Sequence, residues 1–238
     1  MLSTMRRLLL SSVLVAGSWF TSSCSFPAIV DLPVGPFSYQ VTSDRVMIPM
    51  QFQDTSTGTI ATVMCQDDSQ CPQLGAGQPA VHCVSNACDP DPFVFELATM
   101  PIDLNMNATV QRYGDHVNSI AISEAHVVAT NQGLLLPVGP TELYWGPESA
   151  VDTNSPGVYH FGTIPVVQAP AGGNSGDQQV ALDSAGSAAL SDYLVHTSRT
   201  LKLFARPSID VGPGSPLPSG GLQLDLTISV HIEGQLVR

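Results

Sequence analysis

Four cysteines fall between residues 65 and 88, Cys65, Cys71, Cys83 and Cys88, spaced C-x5-C-x11-C-x4-C. Two chemistries fit four thiols, a metal site or two disulfides. Zinc sites usually bring cysteines together as closer C-x2-C pairs, and an exported chain meets an oxidising compartment. The spacing predicts two disulfides. Three connectivities remain open. Pairing 65 with 83 and 71 with 88 closes loops of nearly twenty residues, worth about 3 kcal/mol each; pairing neighbours closes tiny loops and stabilises less. Asp67, Asp68, Asp89 and Asp91 flank the cysteines and carry the oxygens calcium prefers. The loop pattern D-x-[DN]-x-[DN]-G is absent, and Asp89-Pro90-Asp91-Pro92 reads as a turn into a strand.

Other residues carry weaker chemistry. Gly173-Asn174-Ser175-Gly176-Asp177 looks like the G-D-S-G-G nucleophile loop of serine proteases, yet a triad also needs a histidine and an orienting carboxylate. His126 precedes Ser175 by 49 residues, its context does not match, and the run reads as a polar connector. The six histidines, His82, His116, His126, His160, His196 and His231, form no H-x-H or H-E-x-x-H pair, and no Walker loop is present. Tyr144-Trp145 offers an aromatic patch for sugar or protein, against a plainer role in core packing. The expectation is therefore no catalytic, cofactor-binding or metal-binding residue.

Cys24 is the odd cysteine, and it follows an export segment. Arg6 and Arg7 give a positive start, Leu8 to Phe20 an apolar core, and Thr21-Ser22-Ser23 a small polar exit. That core falls short of the roughly 20 apolar residues a bilayer span needs, so residues 1–23 read as a signal peptide. Thr21-Ser22-Ser23-Cys24 resembles a bacterial lipobox, with Thr21 where the family favours an aliphatic residue. The resemblance implies lipidation of Cys24 after cleavage, and Ser25 in second place resembles the pattern sent to the outer membrane. Cleavage near Ala16-Gly17-Ser18 is the alternative, leaving a secreted or periplasmic protein with a free thiol.

The chain has 20 acidic and 8 basic side chains. Loss of Arg6 and Arg7 leaves 6 basic against 20 acidic, a net charge of −14. Lys202 is the only lysine. Nucleic-acid binding draws on clustered Lys and Arg, so nucleic acid is excluded as a partner.

Whatever these residues do, sheets must hold them. Leu222, Leu224, Leu226, Ile228, Val230 and Ile232 alternate with polar residues, as do Ile102, Leu104, Met106, Ala108 and Val110; Phe37, Tyr39 and Val41 do so more briefly. Period two predicts strands with one dry face. Further strands are expected near 45–52, 59–64, 93–99, 117–130, 141–146, 157–163 and 199–206. A helix is expected at 183–194, capped by Asp183 or Ser184 and facing inward with Leu182, Ala185, Ala189 and Tyr193. The Pro/Gly segment 207–221 reads as the closure of a long hairpin. Residues 24–36, with three prolines, read as an anchor and extended tether. The fold expected for 37–238 is an all-β antiparallel sandwich with a cysteine-rich insertion at 65–91; two small sandwiches meeting near 131–140 are the alternative.

The insertion resembles cysteine-clustered segments of uncharacterised bacterial surface lipoproteins, in which a β domain interrupts itself with a CxxxxxC…CxxxxC excursion. The resemblance brings no activity with it. The functional expectation is a non-catalytic, lipid-anchored protein of the cell envelope. It would meet the membrane through Cys24 and a protein or glycan through the 65–91 loop. The alternatives are an exported hydrolase with a dispersed site and a calcium- or glycan-binding adhesion module.

Overall fold

The structure is a computed structural model, which describes residues 26–75, 77–113 and 116–236; residues 1–23, expected to be a signal peptide, and Cys24 lie outside them. The chain opens with β1 (Phe26–Thr42), then β2 (Gln53–Asp54), β3 (Thr59–Ile60), β4 (Val81–Val84), β5 (Ala87–Pro90), β6 (Phe93–Val94), β7 (Leu97–Ala98) and β8 (Ile102–Asp103). A short helix α1 (Ala108–Tyr113) leads to β9 (Val117–Asn131), β10 (Thr141–Pro147), β11 (Tyr159–Ile164), β12 (Asn174–Gln179) and β13 (Ala181–Leu182). Helix α2 (Ser184–His196), β14 (Thr200–Arg206), β15 (Ser208–Ile209) and β16 (Gly221–Leu236) complete it.

Two antiparallel sheets share one core. The first runs β1-β16-β9-β12 and the second β13-β11-β10-β14-β7, with β8 also on β14. Leu224, Leu226 and Val127 of the first bury with Phe161, Leu143 and Leu203 of the second. In β16 the even-numbered apolar residues from Leu222 to Ile232 are all buried while their odd neighbours are partly exposed, the alternation read from sequence. The segment 131–140 carries the chain from one sheet to the other.

Helix α2 lies against β9 of one sheet and β11 of the other. Asp183 caps it, its carboxylate accepting from Gly186 N at 2.8 Å. The buried face is Gly186, Leu190 and Leu194, one position on from the expected Leu182, Ala185, Ala189 and Tyr193. Gly186 decides this phase. A Cβ there would sit 1.7 Å from the carbonyl oxygen of His160, so only glycine lets α2 touch β11.

Four expectations are corrected. Residues 26–34 are no tether: they pair with β16 from Phe26↔Leu236 to Val34↔Ile228. The prolines fit because β1 is an edge strand, whose outward N–H groups need no ladder partner, and Pro36 falls at the register shift between Val34 and Phe37. The alternating segment 102–110 is mostly not a strand. Asp103 accepts from Asn105 N at 2.9 Å and starts a 3-10 turn. Asn107 then accepts from Thr109 N and Val110 N and starts α1. Local side-chain acceptors outcompete the ladder there, leaving Met106 exposed while Leu104 and Val110 are buried. Residues 45–52 hold 3-10 turns in place of a strand. The 207–221 segment does not close a hairpin, because β14 and β16 belong to different sheets; it crosses between them, pairing β15 with β6 on the way.

Candidate functional site

The four cysteines sit in a lobe inserted after the end of β1. Its centre is the β4–β5 hairpin, with Val81↔Pro90 through Val84↔Ala87 in register. Ser85 and Asn86 turn it at φ 53° and 64°, the left-handed pair that a two-residue type I′ turn requires. Residues 63–65 line the outer edge of β5: Cys88 N donates to Val63 O at 2.8 Å and Cys65 N to Asn86 O at 3.1 Å. Two disulfides join the layers, Cys65–Cys83 and Cys71–Cys88. This is the long-loop connectivity of the three the sequence allowed. Cys65, Cys71 and Cys88 are buried with Phe52, Ile60 and Val81, so the crosslinks reinforce a small apolar core.

The aspartates that suggested calcium serve the lobe itself. Asp67 accepts from Ser69 N and the Ser69 hydroxyl. Asp68 accepts from Cys83 N at 2.7 Å and meets His82 Nδ1 at 3.1 Å; the Cys83 N–H, then His82, hold its carboxyl below the ordinary value. His82 Nε2 lies 3.5 Å from Asp91. The Asp68 hydrogen bond and the Asp91 charge raise the imidazole pKa. Asp89 is half-buried with one oxygen unpartnered, and burial, then the charges of Asp210 and Asp91, push its pKa up.

The same construction recurs elsewhere. His126 lies between Asp177 at Nδ1 (3.2 Å) and Glu124 at Nε2 (3.4 Å). His160 lies between Asp183 (3.9 Å) and Glu142 (2.5 Å). His231 lies between Asp31 (2.8 Å) and Glu233 (3.5 Å), and Asp31 chiefly raises its pKa. In each case the carboxylates meet opposite edges of the ring, so the donors do not converge on one point as a metal needs. These pairs tie strands together: His231–Asp31 joins β16 to β1 and His126–Asp177 joins β9 to β12. Among the described residues the one group of three or more potential ligands within metal-holding distance is Cys65, Cys71 and Cys88, whose sulfurs are spent in disulfides.

Among the described residues no base hydrogen-bonds to Ser175. Its hydroxyl accepts from Ala129 N at 3.0 Å and donates to Gly176 O at 2.8 Å, bridging the register slip where β12 meets β9. The protease-like run is an edge-strand bulge, not the plain connector expected from sequence. Trp145 is buried, donates Nε1–H to Gly186 O at 2.9 Å and stacks on Tyr159, which decides for core packing over an exposed patch. A wholly apolar cavity between the sheets, bounded by Phe37, Leu104, Leu194 and Ile228, holds about 30 Å³, far below the roughly 300 Å³ at which ligand pockets begin.

The lobe presents two apolar side chains outward. Met64 and Val84 are 70% and 50% exposed, beside a shallow crevice of about 340 Å³ lined by Gln66, Gln70, Asn86 and the Cys65 wall. No sequence signal marked Met64 or Val84; their exposure follows from the hairpin's register.

No protein-family model matches the chain, and no curated protein matches it. Among solved structures, a chain of Desmodium yellow mottle tymovirus aligns with 100% of this chain and 92% of its own length, at 14% identity and a TM-score of 0.29. A score that low carries neither fold nor function across.

The two disulfides mark a protein that matures outside the cytoplasm. Among the described residues no helix is long and apolar enough to cross a membrane.

Proposed function

We propose that this is a non-catalytic protein of the cell envelope, anchored by a lipid on Cys24, that binds a macromolecular partner through the crosslinked lobe. The observation that supports this reading is that the start of β1 and the lobe lie at opposite ends of that strand. β1 is paired from Phe26, two residues after Cys24, to Thr42↔Gly221. The lobe follows Thr42 and is fastened to the loop that precedes Gly221, through Ile60 N to Ser215 O at 2.7 Å and Leu217 N to Gly58 O at 2.9 Å. Seventeen residues of strand put roughly 50 Å between the two ends. A lipid on Cys24 would hold one end of the sandwich at the bilayer and present Met64 and Val84 away from it. The crosslinks fix that surface beforehand, which lowers the ordering cost of binding.

Two experiments test the two halves separately. Metabolic palmitate labelling of intact cells is expected to label the wild type and not Cys24→Ser, with the variant released from the membrane fraction. Label retained by the variant refutes the anchor. A photo-crosslinking side chain at Val84 is expected to yield a discrete adduct in intact cells, and one at Ser184 on α2 none. Equal yields from both positions refute the lobe as the binding surface.

A further inference from the structure

The methionines among the described residues are all on the outside. Beyond residue 25 the chain has five, Met47, Met50, Met64, Met100 and Met106, and they are between 61% and 86% exposed. None belongs to the core or packs against it, which is filled by Leu, Ile, Val, Phe and Trp145. Methionine is ordinarily among the more buried residues, valued for fitting irregular gaps. Here that use is absent. What distinguishes an exposed methionine from leucine is its thioether, a two-electron reductant. The four cysteines of the described residues are closed as disulfides, so these thioethers are the reducing sulfur that this surface still offers. Three of them, Met47, Met50 and Met64, belong to the lobe and its base; Met100 and Met106 flank β8.

We propose that the five methionines are oxidant-accepting sites whose substrates are hypohalous acids, and that the fold is arranged so that their oxidation is harmless to it. In each event the sulfur lone pair attacks the halogen and releases hydroxide. Water then replaces halide on the halosulfonium, leaving a sulfoxide, a halide ion and two protons, one of which neutralises the hydroxide. Sulfur loses two electrons and the halogen gains them. The sulfoxide is polar, which would disrupt a core but costs little at a side chain already in water. A thiol-dependent sulfoxide reductase of the envelope would return the sulfur to its starting state. This inference does not depend on the lipid anchor or on a binding partner.

The test is titration of the full exported chain with hypochlorous acid, read by peptide mass spectrometry. All five positions are expected to gain one oxygen each at rates within about threefold of free methionine. The thermal midpoint and the near-ultraviolet signal of Trp145 are expected to hold. A position that resists by more than about tenfold, or a loss of the Trp145 signal as sulfoxide accumulates, overturns the proposal. A variant with all five changed to leucine controls for consumption elsewhere. The wild type is expected to spare a co-dissolved methionine reporter peptide and the variant to spare it less; equal protection by the two also overturns the proposal.

Discussion

Substituting Gly186→Ala puts the packing of α2 to the test. A methyl group needs about 3.5 Å from a carbonyl oxygen, and 1.7 Å is available to His160 O. The obstacle is backbone of a central strand, so α2 must retreat by more than ~1 Å. Overpacking of this kind costs about 1–3 kcal/mol, and a rigid obstacle puts it at the upper end. Retreat also breaks the bond from Trp145 Nε1 to Gly186 O and strands a buried donor, a further ~1 kcal/mol or more. Alanine returns roughly 1 kcal/mol of helix propensity. The net is a loss of about 3 kcal/mol, or a fall of about 6–12 °C in Tm for a body of this size. Thermal unfolding followed by circular dichroism and by fluorescence of Trp145 measures it; the other tryptophan, Trp19, lies in the segment expected to be removed on export. Gly172→Ala is the control. It has positive φ but nothing within 4 Å, so it costs only the ~1 kcal/mol of a left-handed alanine. A Gly186→Ala protein as stable as the wild type, or more so, would refute the packing.

Removing Cys71 and Cys88 together as serines is expected to cost about 3 kcal/mol locally, seen as faster proteolysis within 61–92 while β16 stays protected from hydrogen exchange. The pH dependence of stability has two limbs. His82 and His231 have raised pKa values, so their contribution is full below about 6.5 and is lost as pH rises through the higher folded values. Asp54, Asp68 and Asp183 have lowered values, so theirs is present above about 3.9 and is lost as pH falls through the folded values. Tm is therefore expected to peak between about pH 4 and 6.5; a Tm still rising from pH 6.5 to 8 would contradict it. Asp68→Asn is expected to bring the His82 pKa, followed by NMR titration, down toward its ordinary value; an unchanged midpoint would dissociate the two side chains. Asp89→Asn removes a charge that burial disfavours and is expected to raise Tm at pH 7, with the gain disappearing at low pH.

Where burial alone sets the pattern, the residues announce the structure. The alternation from Leu222 to Ile232 survives intact because a central strand with one dry face permits no other arrangement. Asp183 announced α2 because a cap acts within three residues of itself. The same locality misled at 102–110, where Asp103 and Asn107 turn the chain every few residues and the apolar alternation is coincidental. The prolines of 24–36 suggested a tether because whether a strand lies at an edge is a property of the sheet.

By itself the sequence determined the dry and wet faces of the strand 222–232, the position of the helix, the net acidity, and a cysteine spacing suited to disulfides. Those are properties of near neighbours along the chain. Only the tertiary structure decided which cysteines pair, that Gly186 seats a helix on His160 O, that Ser175 bridges a bulge, and that five methionines face water. Each of those depends on groups brought together from distant parts of the chain, where close packing and hydrogen-bond satisfaction choose among alternatives that local pattern leaves equal.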